Sequence, residues 1–355
     1  MSRIVSSYRS ERSLNGYQLD VLKSGLQKWI RRGVNDKALY CAGELDLFKL
    51  SEERGEAIRT NFVHRLMVVF VEDIGVAGLS IWPEVDKYIQ TILREPRDSM
   101  LSMLEYESVV HVVNLLCDCE KARLNSHIRL VSQPIMSTQK HNVLAALSAD
   151  EVAVILRLWH DLDMHRSLYK DASLTTLSEK FKSALVNREW DAFWWATEIA
   201  ASAEKVCYRK KRRAVWRIFE ILENFVPKSL LDIACRWFDE MSNLQESFCV
   251  WGTLICGVVL GAIEDATPRP TSPNATLADQ NAARVTLDAM RDVWPANVRG
   301  DTIEFDSYII DKHTSKGRRA GASTRDFALI GSYVENESAY VVLAFKKVYN
   351  AIRGA

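Results

Sequence analysis

The chain has 355 residues, enough for two or three domains, and its 48% hydrophobic content can fill sizeable cores. Charged residues make up 26% of the sequence, an ordinary share for a globular protein that excludes global disorder. The formal net charge is zero, so the molecule as a whole is not an electrostatic trap for nucleic acid, and any such binding needs a local basic patch.

The N-terminal region predicts an arm followed by a helical hairpin. Residues 1–14 are rich in serine and arginine and lack the apolar core of a secretory signal, which indicates a flexible arm. Apolar residues then recur at helical spacing over Leu19–Ile30, and Gly33 stands where a C-terminal cap belongs. Asn35 or Asp36 can cap a second helix. Small residues on that helix would let the two helices approach closely: Ala38, Ala42 and Gly43.

Two helical domains are predicted, at residues 15–135 and 136–264. Their further helices are predicted at Ala57–Ile74, Glu84–Leu93, Glu107–Cys119, Val152–Leu162, Leu174–Leu185, Trp190–Ala201, Lys210–Glu223 and Leu230–Met241. The longest uncharged run, Phe248–Ile263, is shorter than the ~20 residues that a membrane span needs. We interpret this run as a buried core or interface helix, with a membrane-associated segment as the alternative, and expect no membrane span.

The last part of the chain has a different pattern. Three prolines in residues 265–278 indicate an exposed linker. Residues 279–355 predict a small α+β region, in which β-branched residues and alternation favour a short strand at Thr302–Asp311. The other predicted elements of this region are a helix at Asp279–Asp292, a basic loop at Lys312–Arg325 and a helix at Ala339–Ile352. The fold class is therefore predicted as mainly α, with a small α+β C-terminal part.

Two stretches of the chain, 154 positions apart, share one helical pattern. The matched pairs are Lys28 and Lys182, Ala38 and Ala192, Ala42 and Ala196, and Glu44 and Glu198. Each stretch is followed by an apolar helix that begins with arginine and carries a glutamate. The pattern indicates a duplicated helical hairpin.

The first hairpin and the helix after it carry two motifs. They are Lys28-Trp-Ile-Arg-Arg-Gly-Val-Asn-Asp-Lys-Ala-Leu-Tyr-Cys-Ala42 and His64-Arg-Leu-Met-Val-Val-Phe-Val-Glu-Asp-Ile-Gly-Val-Ala77. This region resembles the C-terminal collar of clamp-loader-like AAA+ ATPases, in particular the RarA (MgsA, Werner-interacting protein) group. A later segment, Lys121-Ala-Arg-Leu-Asn-Ser-His127, resembles the lysine–serine end of a collar helix in that group. The resemblance covers about a third of the chain.

In that family the collar is an oligomerising helical bundle, so the resemblance implies assembly near replicating DNA. The sequence departs from the family because it has no Gly-x-x-x-x-Gly-Lys-Ser/Thr phosphate loop and no room for an ATPase domain before residue 16. ATP hydrolysis is therefore not carried over, and no cofactor is expected. The expected partners are further copies of the chain or another protein, with DNA as a candidate.

Seven scattered cysteines favour reduced, buried thiols over a disulfide framework, which indicates an intracellular location in the nucleus or cytoplasm.

The densest basic run is a candidate phosphate-binding segment. It consists of Arg209, Lys210, Lys211, Arg212 and Arg213. Each cation on such a run can add salt-dependent affinity for phosphates. The alternatives are a solvated face of a helix that buries its other side, which is favoured, and a nuclear-import signal.

The most function-like segment is the basic loop that follows the predicted strand. Its candidate nucleic-acid-binding residues are Lys312, His313, Lys316, Arg318, Arg319 and Arg325. Gly317 and Gly321 would let the backbone approach a ligand closely, and cations with free amides suit phosphate. Asp311 and His313 would instead suit proton transfer. A solvated loop without a ligand is the third interpretation.

Several other residue groups favour structural roles. Glu72 and Asp73 suggest either a carboxylate acid/base or metal site, or an ion pair with Arg31, Arg32 or Arg65, which is favoured. The other groups are His160 and His165, Cys117 and Cys119, and Trp190, Trp194 and Trp195. The histidines stand five positions apart and diverge by ~140° on a helix, so they do not suit a shared metal. The cysteines favour buried thiols, and the tryptophans favour core or interface packing over base stacking.

These patterns predict a non-enzymatic, oligomeric scaffold or accessory factor associated with DNA replication or repair. The alternative is a structural protein associated with nucleic acid or with a virion. An enzyme that uses Asp311 and His313 on a phosphorylated substrate is the less favoured third hypothesis. No catalytic or metal-binding residue is assigned.

Overall fold

A computed structural model describes most of the chain. The described residues are 12–13, 15–50, 55–94, 103–133, 137–169, 171–206, 211–240, 244–265, 296–334, 338 and 340–354. Within them the chain is 79% helical and forms no strand, which confirms the mainly-α prediction. Residues 1–11 of the predicted arm, residues 266–278 of the predicted linker and the predicted Asp279–Asp292 helix lie outside the described part.

The described α-helices are numbered in chain order. They are α1 (Leu19–Arg32), α2 (Asn35–Asp46), α3 (Gly55–Val69), α4 (Trp82–Arg94), α5 (Met103–Asp118), α6 (Leu124–Val131), α7 (Ser137–Leu144), α8 (Ala149–Tyr169), α9 (Leu174–Val186), α10 (Ala192–Val206), α11 (Lys211–Leu222), α12 (Lys228–Glu240), α13 (Leu244–Leu260), α14 (Ala262–Asp265), α15 (Ala296–Arg299), α16 (Ser315–Arg319), α17 (Thr324–Asp326) and α18 (Leu343–Gly354). Tighter 3₁₀ segments lie at Leu47–Leu50, Gly75–Ile81 and Ser307–Ile309, and wider π segments at Phe70–Ile74 and Phe327–Gly331.

The chain divides into two compact units, each built from separate stretches of sequence. Among the described residues, unit 1 comprises 12–70, 84–119 and 296–334, and unit 2 comprises 71–83, 120–265 and 338–354. This division differs from the consecutive regions predicted at 15–135, 136–264 and 279–355. The reason in unit 1 is that residues 296–334 pack on the first hairpin, although about 250 residues of sequence separate them.

The first hairpin, in unit 1, has the predicted form with a different cap. Gly33 ends α1 in the left-handed conformation, with φ 67°. Val34 is the N-terminal cap residue of α2, whereas Asn35 or Asp36 was predicted. The Asn35 side chain instead donates to Asp118 Oδ1 on α5 (3.0 Å). Asn35 therefore ties the hairpin to α5.

Buried polar groups fix the far end of the hairpin in unit 1. Glu44 is fully buried, and its Oε1 accepts from Nδ2 of Asn15 (2.6 Å) and of Asn297 (3.1 Å). Gly43 makes room for Asn297, because a Cβ at residue 43 would lie 2.3 Å from Asn297 Oδ1. Gly43 thus admits a side chain from α15, whereas the sequence suggested that it brings α1 and α2 together.

A buried cation with two carboxylates joins the elements around α3 in unit 1. Arg59 Nε donates to Glu105 Oε1 on α5 (2.8 Å) and lies 3.6 Å from Asp46 Oδ1 at the end of α2. All three side chains are nearly inaccessible to solvent. Buried charges of this kind are tolerated when they are paired and hydrogen-bonded.

Unit 2 has its core around the uncharged run, which forms most of α13 and continues into α14. Residues 247–258 are all buried. Asn125 on α6 donates to Cys249 O (2.8 Å), and a Cβ at Gly252 would lie 2.4 Å from Asn125 Oδ1. The run is therefore a core helix whose glycine admits a polar side chain, and its buried residues offer no free surface for assembly.

The Glu72–Asp73 pair lies in a π segment, where Asp73 forms a structural ion pair in unit 2. Arg123 Nε lies 3.3 Å from the fully buried Asp73 Oδ1, and the Arg123 guanidinium lies 5.7 Å from the Tyr349 ring centroid. The amide of Ala122 donates to Ile74 O (3.2 Å). The favoured ion-pair interpretation thus has Arg123 as the partner of Asp73, whereas Arg31, Arg32 or Arg65 was expected.

The second hairpin, α9 and α10, lies in unit 2 at the position that the repeat indicates. Ala192 and Ala196 are fully buried, as Ala38 and Ala42 are in the first hairpin. The matched lysines differ in burial, because Lys28 is buried and Lys182 is exposed. The small residues of the repeat therefore keep their packing role, while Lys28 has a role that its counterpart lacks.

One helical run, Ala57–Arg94, is long and apolar enough to cross a membrane by length and composition alone. Buried residues make up 72% of its apolar window, as in a core helix. The run is also interrupted by the π and 3₁₀ segments between Phe70 and Ile81. No other such run occurs in the described part of the chain.

Candidate nucleic-acid interface

A polar stripe on α1 holds residues 306–334 in unit 1. The stripe consists of Asp20, Ser24, Lys28 and Arg32, each four residues after the last and therefore on one side of the helix. Ser24 Oγ donates to Ile309 O (2.7 Å), and Asp20 Oδ2 accepts from the amide of Ser315 (2.5 Å).

These contacts explain why the predicted strand at Thr302–Asp311 is wrong. The described segment contains the 3₁₀ turn Ser307–Ile309 and no strand. Side chains of α1 take the backbone carbonyls that a neighbouring strand would have bonded: Lys28 Nζ donates to Tyr308 O (2.6 Å) and Ser24 to Ile309 O. The alternation in this sequence therefore reflects packing against one helix.

The central contact is the buried ion pair between Lys28 and Asp311. Lys28 Nζ lies 2.7 Å from Asp311 Oδ2, and both side chains are almost fully buried. Burial lowers the pKa of Lys28 to about 8, against the raising effect of Asp311. Burial alone would raise the pKa of Asp311, but hydrogen bonds from His313 and Lys28 hold it well below its usual range. Both groups are therefore charged at neutral pH.

A tight turn follows Asp311 and starts α16. The amide of His313 donates to Asp311 Oδ1 (2.8 Å), and Thr314 Oγ1 caps the helix by accepting from the amide of Gly317 (3.0 Å). A Cβ at Gly317 would lie 1.8 Å from Asp311 O. Gly317 therefore accommodates the protein's own backbone, whereas the sequence suggested that it admits a ligand.

A second anchor joins the segment to the hairpin through Asp306. Its Oδ2 accepts from Trp29 Nε1 (2.7 Å) and from the Tyr308 hydroxyl (2.8 Å). Lys37 Nζ lies 3.2 Å from Asp306 Oδ1. The largest effect on the Asp306 pKa is a rise from burial, but these three donors lower it overall.

The end of the segment is held by the two arginines that close α1. Arg31 donates to Gly331 O, and Arg32 Nη2 donates to Ile330 O (2.7 Å). The Arg32 guanidinium also lies over the Tyr308 ring, 3.8 Å from its centroid. Residues 306–333 are thus fixed to α1 at the beginning, in the middle and at the end.

The basic residues that the sequence singled out lie on the outer side of this fixed segment. Lys316, Arg318, Arg319 and Arg325 are exposed, and Lys316 and Arg319 form no ion pair or side-chain hydrogen bond with any described residue. Arg318 donates to His313 O (2.8 Å) and Ser315 Oγ (3.1 Å). Lys316 and Arg319 stand three residues apart on α16, so they share one face.

The remaining two predicted residues pack on Phe327. His313, with 57% of its side chain exposed, lies edge-on to the Phe327 ring, with a centroid distance of 4.6 Å. Lys312 Nζ lies 5.6 Å from the same centroid and donates to Thr324 Oγ1 (3.1 Å). Lys312 and His313 thus connect the basic loop to the π segment Phe327–Gly331.

The geometry around Asp311 and His313 favours structure over proton transfer. His313 Nδ1 lies 3.2 Å from Asp311 Oδ2, but the same oxygen is held by the buried Lys28 ammonium. Asp311 Oδ1 closes the turn to the His313 amide. The carboxylate is therefore engaged on both oxygens by groups of its own unit.

The other basic run is only partly described. Arg209 and Lys210 lie outside the described residues, as do the side chains of Lys211, Arg212 and Arg213 at the start of α11. The buried face of α11 carries Val215, Ile218 and Phe219, as the helical interpretation expected.

The remaining candidate groups form no metal site within the described part of the chain. Trp194 and Trp195 are buried and pack with His165, 5.7 and 4.7 Å between ring centroids, so they offer no exposed face for base stacking. His160 is exposed and lies beside Asp161. The six described cysteines, including Cys117 and Cys119, are free thiols, and no described residues group as three metal ligands.

Sequence reasoning missed the residues that build the support. Asp20, Ser24, Lys28 and Arg32 recur at a spacing of four on the side of α1 away from its apolar face, and this polar stripe is the signal that was available. Comparison with known proteins finds no matching family model, no matching curated protein and no matching solved structure.

Proposed function

We propose that this chain is a non-enzymatic scaffold, an accessory factor in DNA replication or repair, that holds nucleic-acid phosphates on residues 312–325. The observation that carries the proposal is a group of exposed cations on a segment that buried contacts fix to α1. The link to replication rests on the resemblance to the collar of clamp-loader-like ATPases.

Fixed cations suit phosphate binding for a simple reason. A mobile loop must lose conformational freedom when it binds, whereas a segment already held at Asp306, Asp311 and Gly331 has lost it on folding. The molecule has no net charge, so attraction for phosphate must come from local side chains such as Lys316 and Arg319.

The enzyme hypothesis is disfavoured because Asp311 is engaged by Lys28 and by the turn. The alternative of a structural virion-associated protein shares the same phosphate chemistry, and recovery of replication proteins with the chain from cells would favour the accessory factor.

The test is a triple substitution, Lys316→Ala with Arg319→Ala and Arg325→Ala. Each phosphate contact that is lost reduces the number of counterions released on binding. The slope of log affinity against log salt should therefore become shallower by up to about 3 units for duplex DNA. Fluorescence anisotropy with a labelled oligonucleotide at several salt concentrations measures both affinity and slope.

The matched control removes the same charge elsewhere, with Arg157→Ala, Lys182→Ala and Lys228→Ala at exposed positions of unit 2. This control variant should bind as the parent does. Equal binding and equal slope for the parent and the first triple variant would show that residues 312–325 do not contact phosphate.

A further inference from the structure

Three large apolar side chains are half exposed directly after the basic loop. They are Leu329 (51% exposed), Ile330 (54%) and Tyr333 (49%). Exposed apolar side chains are ordinary when scattered, but several within five residues mark a surface that contacts something.

Tyr333 lies near the fixed contact between Arg32 and Tyr308. The Arg32 guanidinium lies 3.8 Å from the Tyr308 ring centroid and 5.9 Å from the Tyr333 centroid. Tyr308 is fixed by its hydrogen bond to Asp306 (2.8 Å), and Arg32 by its hydrogen bond to Ile330 O. The Arg32 cation therefore lies over both rings, close to Tyr308 and at the outer limit of a cation–π contact with Tyr333.

The π segment before Tyr333 packs against the basic loop. Phe327, which starts the π segment, contacts both His313 and Lys312 of the basic loop. A Cβ at Gly331 would lie 3.5 Å from Asp311 Oδ2 and from Lys28 Cε, so the end of the π segment lies against the buried ion pair. The half-exposed Tyr333 therefore follows directly after a segment that contacts Lys312 and His313 of the basic loop.

We propose that this surface binds single-stranded nucleic acid, with Tyr333 stacking on an unpaired base while the cations of residues 312–325 hold the phosphates. The inference rests on the proposed phosphate-binding function. An exposed aromatic ring beside a basic segment is the combination that single strands use, because every base offers a flat face and the backbone offers phosphates. In a duplex the base faces are stacked on one another and are closed to Tyr333.

The apolar neighbours fit the same ligand. Leu329 and Ile330 present aliphatic surface that can cover the edge of a base or a sugar. An anionic lipid surface is the other macromolecular ligand that basic and aliphatic groups attract. The half-exposed ring of Tyr333 favours a flat aromatic base.

The experiment compares a fluorescent single-stranded 20-mer with its duplex, at one salt concentration, for the parent, Tyr333→Ala and Tyr333→Phe. Loss of one stacked base should weaken single-strand binding about 5- to 100-fold in Tyr333→Ala, and duplex binding should change little. Tyr333→Phe keeps the ring and should bind as the parent does. Leu343→Ala, at an exposed apolar residue on α18 of unit 2, is the control for lost apolar surface.

A second measurement does not depend on any variant. A single strand containing 5-iodouracil, irradiated with the parent protein, should crosslink to Tyr333, which mass spectrometry of the digested complex identifies. Crosslinking at Tyr333 supports the proposal even where a variant fails to fold.

The outcomes separate this inference from the proposed function. Equal affinity for both strand forms, with no effect of Tyr333→Ala and no crosslink, overturns the stacking proposal and leaves phosphate binding in place. Failure to bind either oligonucleotide overturns both proposals. Binding to vesicles of phosphatidylserine and phosphatidylcholine that is lost on Ile330→Ala, without oligonucleotide binding, assigns the surface to lipid and overturns both proposals.

Discussion

Gly317 lies where the carbonyl of Asp311 approaches the first turn of α16. A methyl group at residue 317 would meet that oxygen at 1.8 Å, far inside van der Waals contact, and the oxygen belongs to the backbone, so it moves only if the turn moves. The turn carries the cations of residues 312–325. Gly317 therefore allows the close turn that fixes the positions of those cations.

We expect Gly317→Ala to destabilise the protein by about 1–3 kcal/mol, because overpacking a closed site forces the backbone to shift. It should also weaken oligonucleotide binding, since the displaced turn carries Lys316 and Arg319. Thermal melting and fluorescence anisotropy measure the two effects.

Gly321→Ala is the control for Gly317→Ala. Gly321 has φ 76° with open space around it, so alanine there introduces backbone strain of about 1–2 kcal/mol without a clash. It should lower the melting temperature and leave binding largely intact. If both variants lose binding equally, the close approach at Gly317 has no special part in presenting the cations.

At the scale of elements, α1 supports the candidate interface. Its apolar face packs into unit 1, and its polar stripe at every fourth residue hydrogen-bonds a segment made of short turns and helices. Lys28 is the central member, with its ammonium on two carbonyls and a carboxylate. Without Lys28, Tyr308 O would lose its side-chain donor and Asp311 would lose its cationic partner, while Ile309 O would keep Ser24 Oγ. Loss of the donor at a buried acceptor is costly.

Helices were predictable from the sequence and the support of the interface was not. The apolar spacing in α1 and Gly33 after it depend only on local sequence, and both are found as predicted. The partner of Lys28 is 283 residues away, and no local pattern specifies it. The strand prediction for Thr302–Asp311 was wrong for the same reason. β-branched residues indicate that the segment packs on a neighbouring element, but they do not specify whether that element is a strand or a helix.

The ion pair predicts an acid-dependent contribution to stability. The folded-state pKa of Asp311 is depressed, so its contribution is present above its unfolded pKa of about 4 and is lost as the pH falls towards the folded value. Asp311→Asn leaves the buried Lys28 without its partner carboxylate, so at pH 7 it should cost about 3–5 kcal/mol. The difference between variant and parent should narrow as the pH falls below about 4, as measured by denaturant unfolding.

Asp163→Asn provides the comparison for the ion pair. Asp163 pairs with Lys140 at 2.6 Å, but the carboxylate is 54% exposed. Exposed pairs contribute about 0–1 kcal/mol, so this variant should unfold almost as the parent does at every pH. An Asp311→Asn variant that behaves like Asp163→Asn would show that burial does not strengthen the pair.

At the scale of the whole molecule, the exposed apolar side chains indicate a different assembly surface from the one that the sequence suggested. The uncharged run that first suggested an interface is buried in unit 2. Six of the ten large apolar residues exposed in the described part of the chain lie instead on α8 and α9. They are Val154, Leu156, Met164, Leu168, Leu174 and Val186. Met164 and Leu168 lie one helical turn apart on α8 and share one face, which favours a contact surface there.

We therefore expect the protein to form a dimer or larger oligomer at micromolar concentration, as the proposed scaffold requires. Met164→Glu with Leu168→Glu should lower the mass measured by light scattering, because two charges placed one helical turn apart would have to be desolvated in the contact. Leu343→Glu, at a residue 59% exposed on α18, adds a charge elsewhere in unit 2 and should leave the mass unchanged. A monodisperse monomer for the parent, at concentrations up to about tenfold above those used for binding, would rule out self-assembly. Equal loss of mass in both variants would place the contact outside α8.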